Sequence, residues 1–123
     1  MISEADILLL HDYSIRDFGG TTGLRERDLL LSAIARPYQT FDGKDLYASP
    51  YEKAAALGES LIVNHPFLDG NKRTAFLAML ALLHEHGIEF SGSVEDTYGF
   101  VLAMSRGEKD FDAIAEWLVQ SCK

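Results

Sequence analysis

Residues 65–73 read His-Pro-Phe-Leu-Asp-Gly-Asn-Lys-Arg, and an apolar run follows at once. An imidazole, a carboxylate, a glycine, an amide and two cations therefore fall within nine residues. That composition suits a phosphate-handling site at a helix N-terminus. An imidazole exchanges protons near neutral pH. A carboxylate is a hard ligand for magnesium. Backbone N–H groups, a lysine and an arginine hold phosphate oxygens.

Transfer of a phosphate-containing group from a nucleotide needs three things. The acceptor hydroxyl must lose its proton, the charge on the transferring group must be neutralised, and the two must lie in line. His65 is the candidate general base and Asp69 the candidate magnesium ligand. Gly70, without a Cβ, lets phosphate approach the backbone. The N–H groups of Gly70, Asn71, Lys72 and Arg73 would form an anion nest. Arg73 would pair phosphate oxygens in a fork and Lys72 would add a point charge. Phe67 reads as a core anchor for the loop.

Taken singly, each residue has a plainer explanation. His-Pro-Phe between helices is a turn, Asp-Gly is a turn or cap, and Lys-Arg in a first helical turn is a solvated face. Their joint occurrence carries the chemical reading. Cations at a helix N-terminus also oppose the dipole by roughly 0.3–1 kcal/mol, a cost that a bound anion would offset.

The elements that must position this stretch are helical. Ser3 and Asp6 resemble a capping box, opening a helix that carries Ile7, Leu8, His11, Ile15 and Phe18 near one face and stops at Gly19-Gly20. Residues 25–36 read as a second helix closed by Pro37. Residues 37–48 break the period around Asp42-Gly43, a short extended loop or small hairpin. Ser49-Pro50-Tyr51-Glu52 is a strong helix start, and that helix runs to about Asn64. A long helix follows from near Gly70 to Gly87, apolar nearly all round over 74–83, so it should be enclosed by others. Two more helices span 93–106 and 110–121. The fold class is all-α, one domain over 1–123, with the cluster at the N-terminal end of a central buried helix, where the dipole favours anions.

Composition narrows the function. The net charge is −8, which repels nucleic-acid phosphate and argues against a nucleic-acid partner. The apolar run 75–83 is about half of the ~20 residues needed to span a bilayer, so no membrane role is expected. The first residues lack a basic and an apolar signal region. Cys122 is the only cysteine, which suits the cytoplasm. His11 reads as a satisfied, half-buried histidine. Arg16, Arg25 and Arg27 read as surface or helix-start pairing residues, with a buried carboxylate as the partner open to Arg25.

Residues 65–73 resemble the signature of the Fic/Doc family, His-x-Phe-x-(Asp/Asn/Glu)-(Ala/Gly)-Asn-(Gly/Lys)-Arg, at every position. Lys72-Arg73-Thr74, Gly-Gly-x-x-Gly-Leu-Arg at 19–25 and Ala-Arg-Pro at 35–37 resemble the Doc (death-on-curing) branch. The resemblance implies a Fic-like helical bundle with a flap, residues 38–48, that aligns a target segment by strand addition. It implies His65 as activator of the acceptor hydroxyl, Asp69 as the Mg²⁺ ligand, and Gly70, Asn71, Lys72 and Arg73 as the nucleotide phosphate site, with ATP as co-substrate.

Two departures from the AMP-transferring pattern bear on the reaction. That pattern has Gly where this chain has Lys72, and a second Arg where this chain has Phe76. In the Doc branch these differences accompany γ-phosphate transfer to a protein, elongation factor Tu, with arrest of translation. The self-inhibitory motif of many family members ends in Glu-(Gly/Asn), and no glutamate here precedes Gly or Asn. The resemblance thus implies a separate small antitoxin whose tail folds on the toxin. The alternatives are AMP transfer with the same base and metal, a catalytically silent adaptor, and a helical DNA-binding regulator. Intact His65 and Asp69 argue against the adaptor, and the acidic charge against the regulator.

Overall fold

The computed structural model describes residues Met1–Lys123. Six α-helices run in order: α1 (Glu4–Phe18), α2 (Arg27–Ala35), α3 (Pro50–Asn64), α4 (Asn71–Glu85), α5 (Val94–Ser105) and α6 (Phe111–Ser121). A 3-10 turn (Arg36–Tyr38) and a hairpin of β1 (Thr40–Phe41) and β2 (Lys44–Asp45) join α2 to α3. The all-α reading is met, and this hairpin is the only sheet.

The helix ends follow from local chemistry. Ser3 and Asp6 form a capping box at α1, with Asp6 in the position glutamate usually takes. Ser49 and Glu52 form a second box at α3, with Pro50 in its first turn. Ser93 and Asp110 cap α5 and α6 through side-chain oxygens. In the hairpin, Asp42 and Gly43 both hold positive φ (53° and 77°), as a two-residue turn between twisted strands demands. Lys53 ties the hairpin to α3, donating to the Asp45 carboxylate and the Tyr47 carbonyl.

One helix departs from its sequence reading. The expected helix over 25–36 begins two residues later and gives way to the 3-10 turn that carries Pro37. Its first two expected N–H groups, of Arg25 and Glu26, both donate to the Pro66 carbonyl instead (2.6 and 3.1 Å). Glu26 stays extended (φ −147°, ψ 116°), held outside the helix while these two N–H groups, which a helix start would leave without a partner, bond the loop before α4.

The core is one cluster in which α3 and α4 are the common partners. Ala54, Ala55, Leu57 and Leu61 of α3 are fully buried or nearly so against Ala75, Ala78, Met79 and Leu82 of α4. Gly58 lets the Met79 thioether lie directly on the α3 backbone. So α3 is as central as α4, and the expectation that α4 is enclosed on every side holds only in part. Its Phe76 and Leu80 side opens, with Phe18 of α1 and Tyr98 of α5, onto an apolar groove of about 540 Å³. No helix is long and apolar enough to cross a membrane.

Candidate active site

The 65–70 loop is short, so its shape is set residue by residue. Asn64 ends α3 and donates its side-chain amide to the Leu29 carbonyl (2.9 Å). His65 follows in the left-handed region (φ 52°, ψ 55°). For a residue with a Cβ that conformation costs roughly 1–2 kcal/mol, so something must hold it. Phe67 is buried in the core, as its sequence position suggested. The Asn71 side chain spans the loop, accepting from Phe67 N–H (3.0 Å) and donating to Phe67 C=O (2.9 Å). Gly70 caps α4 at φ 78°, a left-handed position that glycine occupies at no steric cost.

Around this loop lies a cleft of about 520 Å³ lined by His65, Asp69, Gly70, Asn71, Lys72 and Arg73 together with Gly19 and Leu68. All six residues singled out in the sequence thus share one cavity. His65, Asp69 and Lys72 are exposed to it. The first intrahelical bond of α4 runs from Thr74 N–H to Gly70 C=O (3.0 Å). The N–H groups of Asn71, Lys72 and Arg73 therefore have no helical acceptor and stand at the positive end of the helix dipole.

Three of the expected contacts are differently arranged. The Gly70 N–H is occupied by Asp69 Oδ1 (2.8 Å), so the nest begins at Asn71. The Asn71 amide is buried and spent on Phe67, which leaves only the backbone N–H of that residue for phosphate. The Arg73 guanidinium grips the end of α1, donating to the carbonyls of Phe18 (3.1 Å) and Gly19 (2.6 Å) and lying 5.9 Å over the Phe18 ring. Its forked face thus points at α1 carbonyls, and Lys72 is the cation without a protein partner in the cleft.

The Asp69 carboxylate accepts from Thr21 N–H at Oδ2 (3.0 Å) and from Gly70 N–H at Oδ1. These two bonds hold its carboxyl below the ordinary carboxylate value, with the Arg73 charge adding a smaller pull. It is ionised at neutral pH. Magnesium takes one or two carboxylates and fills its shell with phosphate and water. Asp69 would supply one such ligand, and no group of three His, Cys, Asp or Glu residues forms a protein-only cage. The donor set fits an ion that arrives with a nucleotide.

Residues 11–25, of which Gly19 alone lines the cleft, brace the loop from the other side, and sequence reasoning missed them as site builders. His11 is buried, stacked on Phe67 at 3.8 Å between ring centroids, and bonded through Nε2 to the Asp69 carbonyl (2.8 Å). A carbonyl only accepts, so Nε2 carries the proton. Leu68 N–H donates to Gly23 C=O (3.1 Å). Arg25 donates from Nε to His65 C=O and from Nη2 to Asn64 C=O, both at 2.8 Å. The carboxylate partner considered for Arg25 is replaced by these two carbonyls; Glu26 lies at 3.9 Å.

The signal that could have found this brace is the triple glycine at 19, 20 and 23. A Cβ on Gly20 would lie 2.7 Å from Asp69 Oδ2, and one on Gly23 would lie 2.9 Å from Leu68 Cδ1. The glycines mark the place where one loop lies directly on another.

The Fic/DOC family profile matches residues 1–83, which span α1 to α3, most of α4 and the whole cleft. The chain is 39% identical over 100 residues to a protein of Mycolicibacterium smegmatis named Toxin Doc, covering 80% of this chain and 77% of that one. It is 26% identical over 117 residues to one of Escherichia phage P1 named Protein kinase doc, covering 95% of this chain and 91% of that one.

Proposed function

Because the chain belongs to the Fic/DOC family, we propose that it is the toxin of a toxin–antitoxin pair and transfers the γ-phosphate of ATP to a hydroxyl of a protein. Elongation factor Tu is the leading target, and arrest of translation is the consequence. The observation that carries the reading is the α4 N-terminus: free N–H groups of residues 71–73 and unpartnered Lys72 face the same cleft as His65 and ionised Asp69.

In this reading His65 accepts the proton of the target hydroxyl as its oxygen attacks the γ-phosphorus. The bond from that phosphorus to the β,γ-bridging oxygen breaks, and ADP carries away the electron pair. The N–H groups of Asn71, Lys72 and Arg73, with the Lys72 ammonium, hold phosphate oxygens in place. Asp69 would hold magnesium, which neutralises phosphate charge when bound.

Phosphate transfer is favoured over AMP transfer by two positions. Lys72 projects into the cleft where the AMP-transferring pattern has glycine. Phe76, at the position of that pattern's second arginine, packs edge-on against Phe90 (5.3 Å) and lines the apolar groove, which Lys72 and Arg73 also border; a phenyl ring offers a phosphate no hydrogen-bond donor. The name of the phage relative agrees. A small antitoxin is the expected partner and the cytoplasm the expected site of action. Incubation with γ-labelled or α-labelled ATP, magnesium and cell lysate tests the reading. Protein labelled from γ supports a kinase, and protein labelled from α alone supports AMP transfer. No label from either, with tight partner binding, supports the adaptor.

A further inference from the structure

We propose that Arg25 is a positioning residue for His65: its guanidinium holds the left-handed backbone at residue 65 and so aims the imidazole into the cleft. The proposal rests on His65 being the general base.

His65 is one of two non-glycine residues with positive φ, and the other, Asp42, sits in a hairpin turn that calls for it. His65 is the left-handed cap of α3, a common way for a helix to end but one that glycine or asparagine usually fills, so here a histidine with its Cβ must be held there. Its own N–H is satisfied by the last bond of α3, to Leu61 C=O (3.2 Å). Its C=O and that of Asn64 are orphans of the α3 C-terminus, and both are taken by Arg25, Nε to one and Nη2 to the other. Two donors fixed in one plane set the relative orientation of two successive carbonyls, which constrains φ and ψ of His65, the residue between their peptide planes. A lysine, a single point donor, cannot do this.

Arg25 is itself fixed. Its N–H and that of Glu26 both donate to Pro66 C=O, while the Leu24–Phe67 bridge pairs the neighbouring backbone. The residues on either side of the His65–Pro66 bond are thus held by one residue, through its side chain before the bond and its backbone after it. The groups at 71–73 that would hold phosphate are set by other contacts: Asn71 to Phe67, and Arg73 to the end of α1. Loss of the guanidinium should therefore displace the base and spare the nucleotide site.

The test compares Arg25→Met and Arg25→Lys with wild type by steady-state phosphate transfer, thermal unfolding, and NMR of the His65 ¹³Cα and ¹³Cβ shifts, which report its φ and ψ. The expected result for Arg25→Met is a kcat lower by roughly 10–100-fold, the scale of a misplaced catalytic group. KM for ATP should stay within about threefold, the His65 shifts should leave the left-handed range, and Arg25→Lys should recover only part of kcat. A kcat within threefold of wild type for folded Arg25→Met overturns the proposal. So does a loss of kcat matched by an equal loss of folded protein. If Arg25→Met does not fold, Arg25→Gln is read by the same criteria. If wild type transfers no label at all, the transferase reading fails, and the NMR arm alone decides whether Arg25 sets the His65 backbone.

Discussion

His11 donates its Nε2–H to the Asp69 carbonyl across 2.8 Å, joining residues 58 positions apart in the chain. The bond fixes the tautomer of a buried imidazole and the height of the loop that carries the carboxylate. With the Phe67 stack it makes α1 a direct support of the cleft.

His11→Phe keeps the ring on Phe67 and removes the donor. A lost bond of this kind costs about 0.5–1.5 kcal/mol, more where the carbonyl is left dry. The melting temperature should fall by roughly 3–8 °C on the scale of a domain this size. His11→Gln, which can still donate, should recover part of the loss. Equal melting temperatures for wild type and His11→Phe would show that the bond contributes nothing.

His65→Ala should lower turnover by roughly 10²–10⁴-fold, the usual contribution of a general base. ATP binding, read by calorimetry, should survive, because the phosphate donors lie on α4. Turnover within threefold of wild type would remove His65 from the base role.

Asp69 links stability to pH. Its carboxyl lies below the ordinary value of 3.8 in the folded protein, chiefly through the Thr21 and Gly70 N–H groups. A group lowered on folding stabilises the protein fully above its unfolded value and loses that contribution as pH falls through the folded value. Melting temperatures of wild type and Asp69→Asn should therefore differ by a constant amount above about pH 5, and the wild-type advantage should shrink in more acid solution. A gap that widens on acidification contradicts the assignment. At pH 7 the same variant should lose the magnesium dependence of nucleotide binding.

Gly20→Ala and Gly19→Ala form a matched pair. Both positions have positive φ, so both substitutions strain the backbone. Only at Gly20 does the new methyl meet the Asp69 carboxylate; nothing lies within 4 Å of a Cβ at Gly19. Gly20→Ala should raise the magnesium concentration needed for half-maximal activity, and Gly19→Ala should leave it unchanged. Equal magnesium titrations for the two would count against contact with Asp69 as the reason for glycine.

Lys72→Gly removes the one free cation of the cleft and restores the AMP-type residue at that position. Phosphate transfer should fall sharply. Full conversion to AMP transfer is not expected, because Phe76 remains in place of the second arginine. Intact-mass measurement of the target separates a gain of phosphate from a gain of AMP. A wild-type protein that adds only AMP would overturn the role given to Lys72.

Local signals explain why so much of the helix plan was legible. Ser3, Ser49, Ser93 and Asp110 each cap a helix through a bond three residues away, and such bonds are written in neighbouring letters. The nine residues at 65–73 were legible as a group because chemistry had gathered them in sequence. What stayed hidden was mostly long-range. Arg73 read as a phosphate ligand because nothing local shows that Phe18 and Gly19 take its side chain, whereas the Asn71 side chain turns back only four residues onto Phe67, a local bond that its residue type alone does not announce. Arg25 read as a helix-start residue because Pro66, which takes its N–H, lies far along the chain.

Every hydrogen bond from another element that shapes the 64–73 loop comes from residues 11–29. None comes from α5 or α6, whose task is to cover α3 and α4. The chain thus answers to two kinds of selection. In the first part a change is judged against particular atoms of the cleft, so few substitutes are acceptable. In the last two helices it is judged by volume and polarity, which many sequences satisfy. Among relatives that share the chemistry, α5 and α6 should drift furthest.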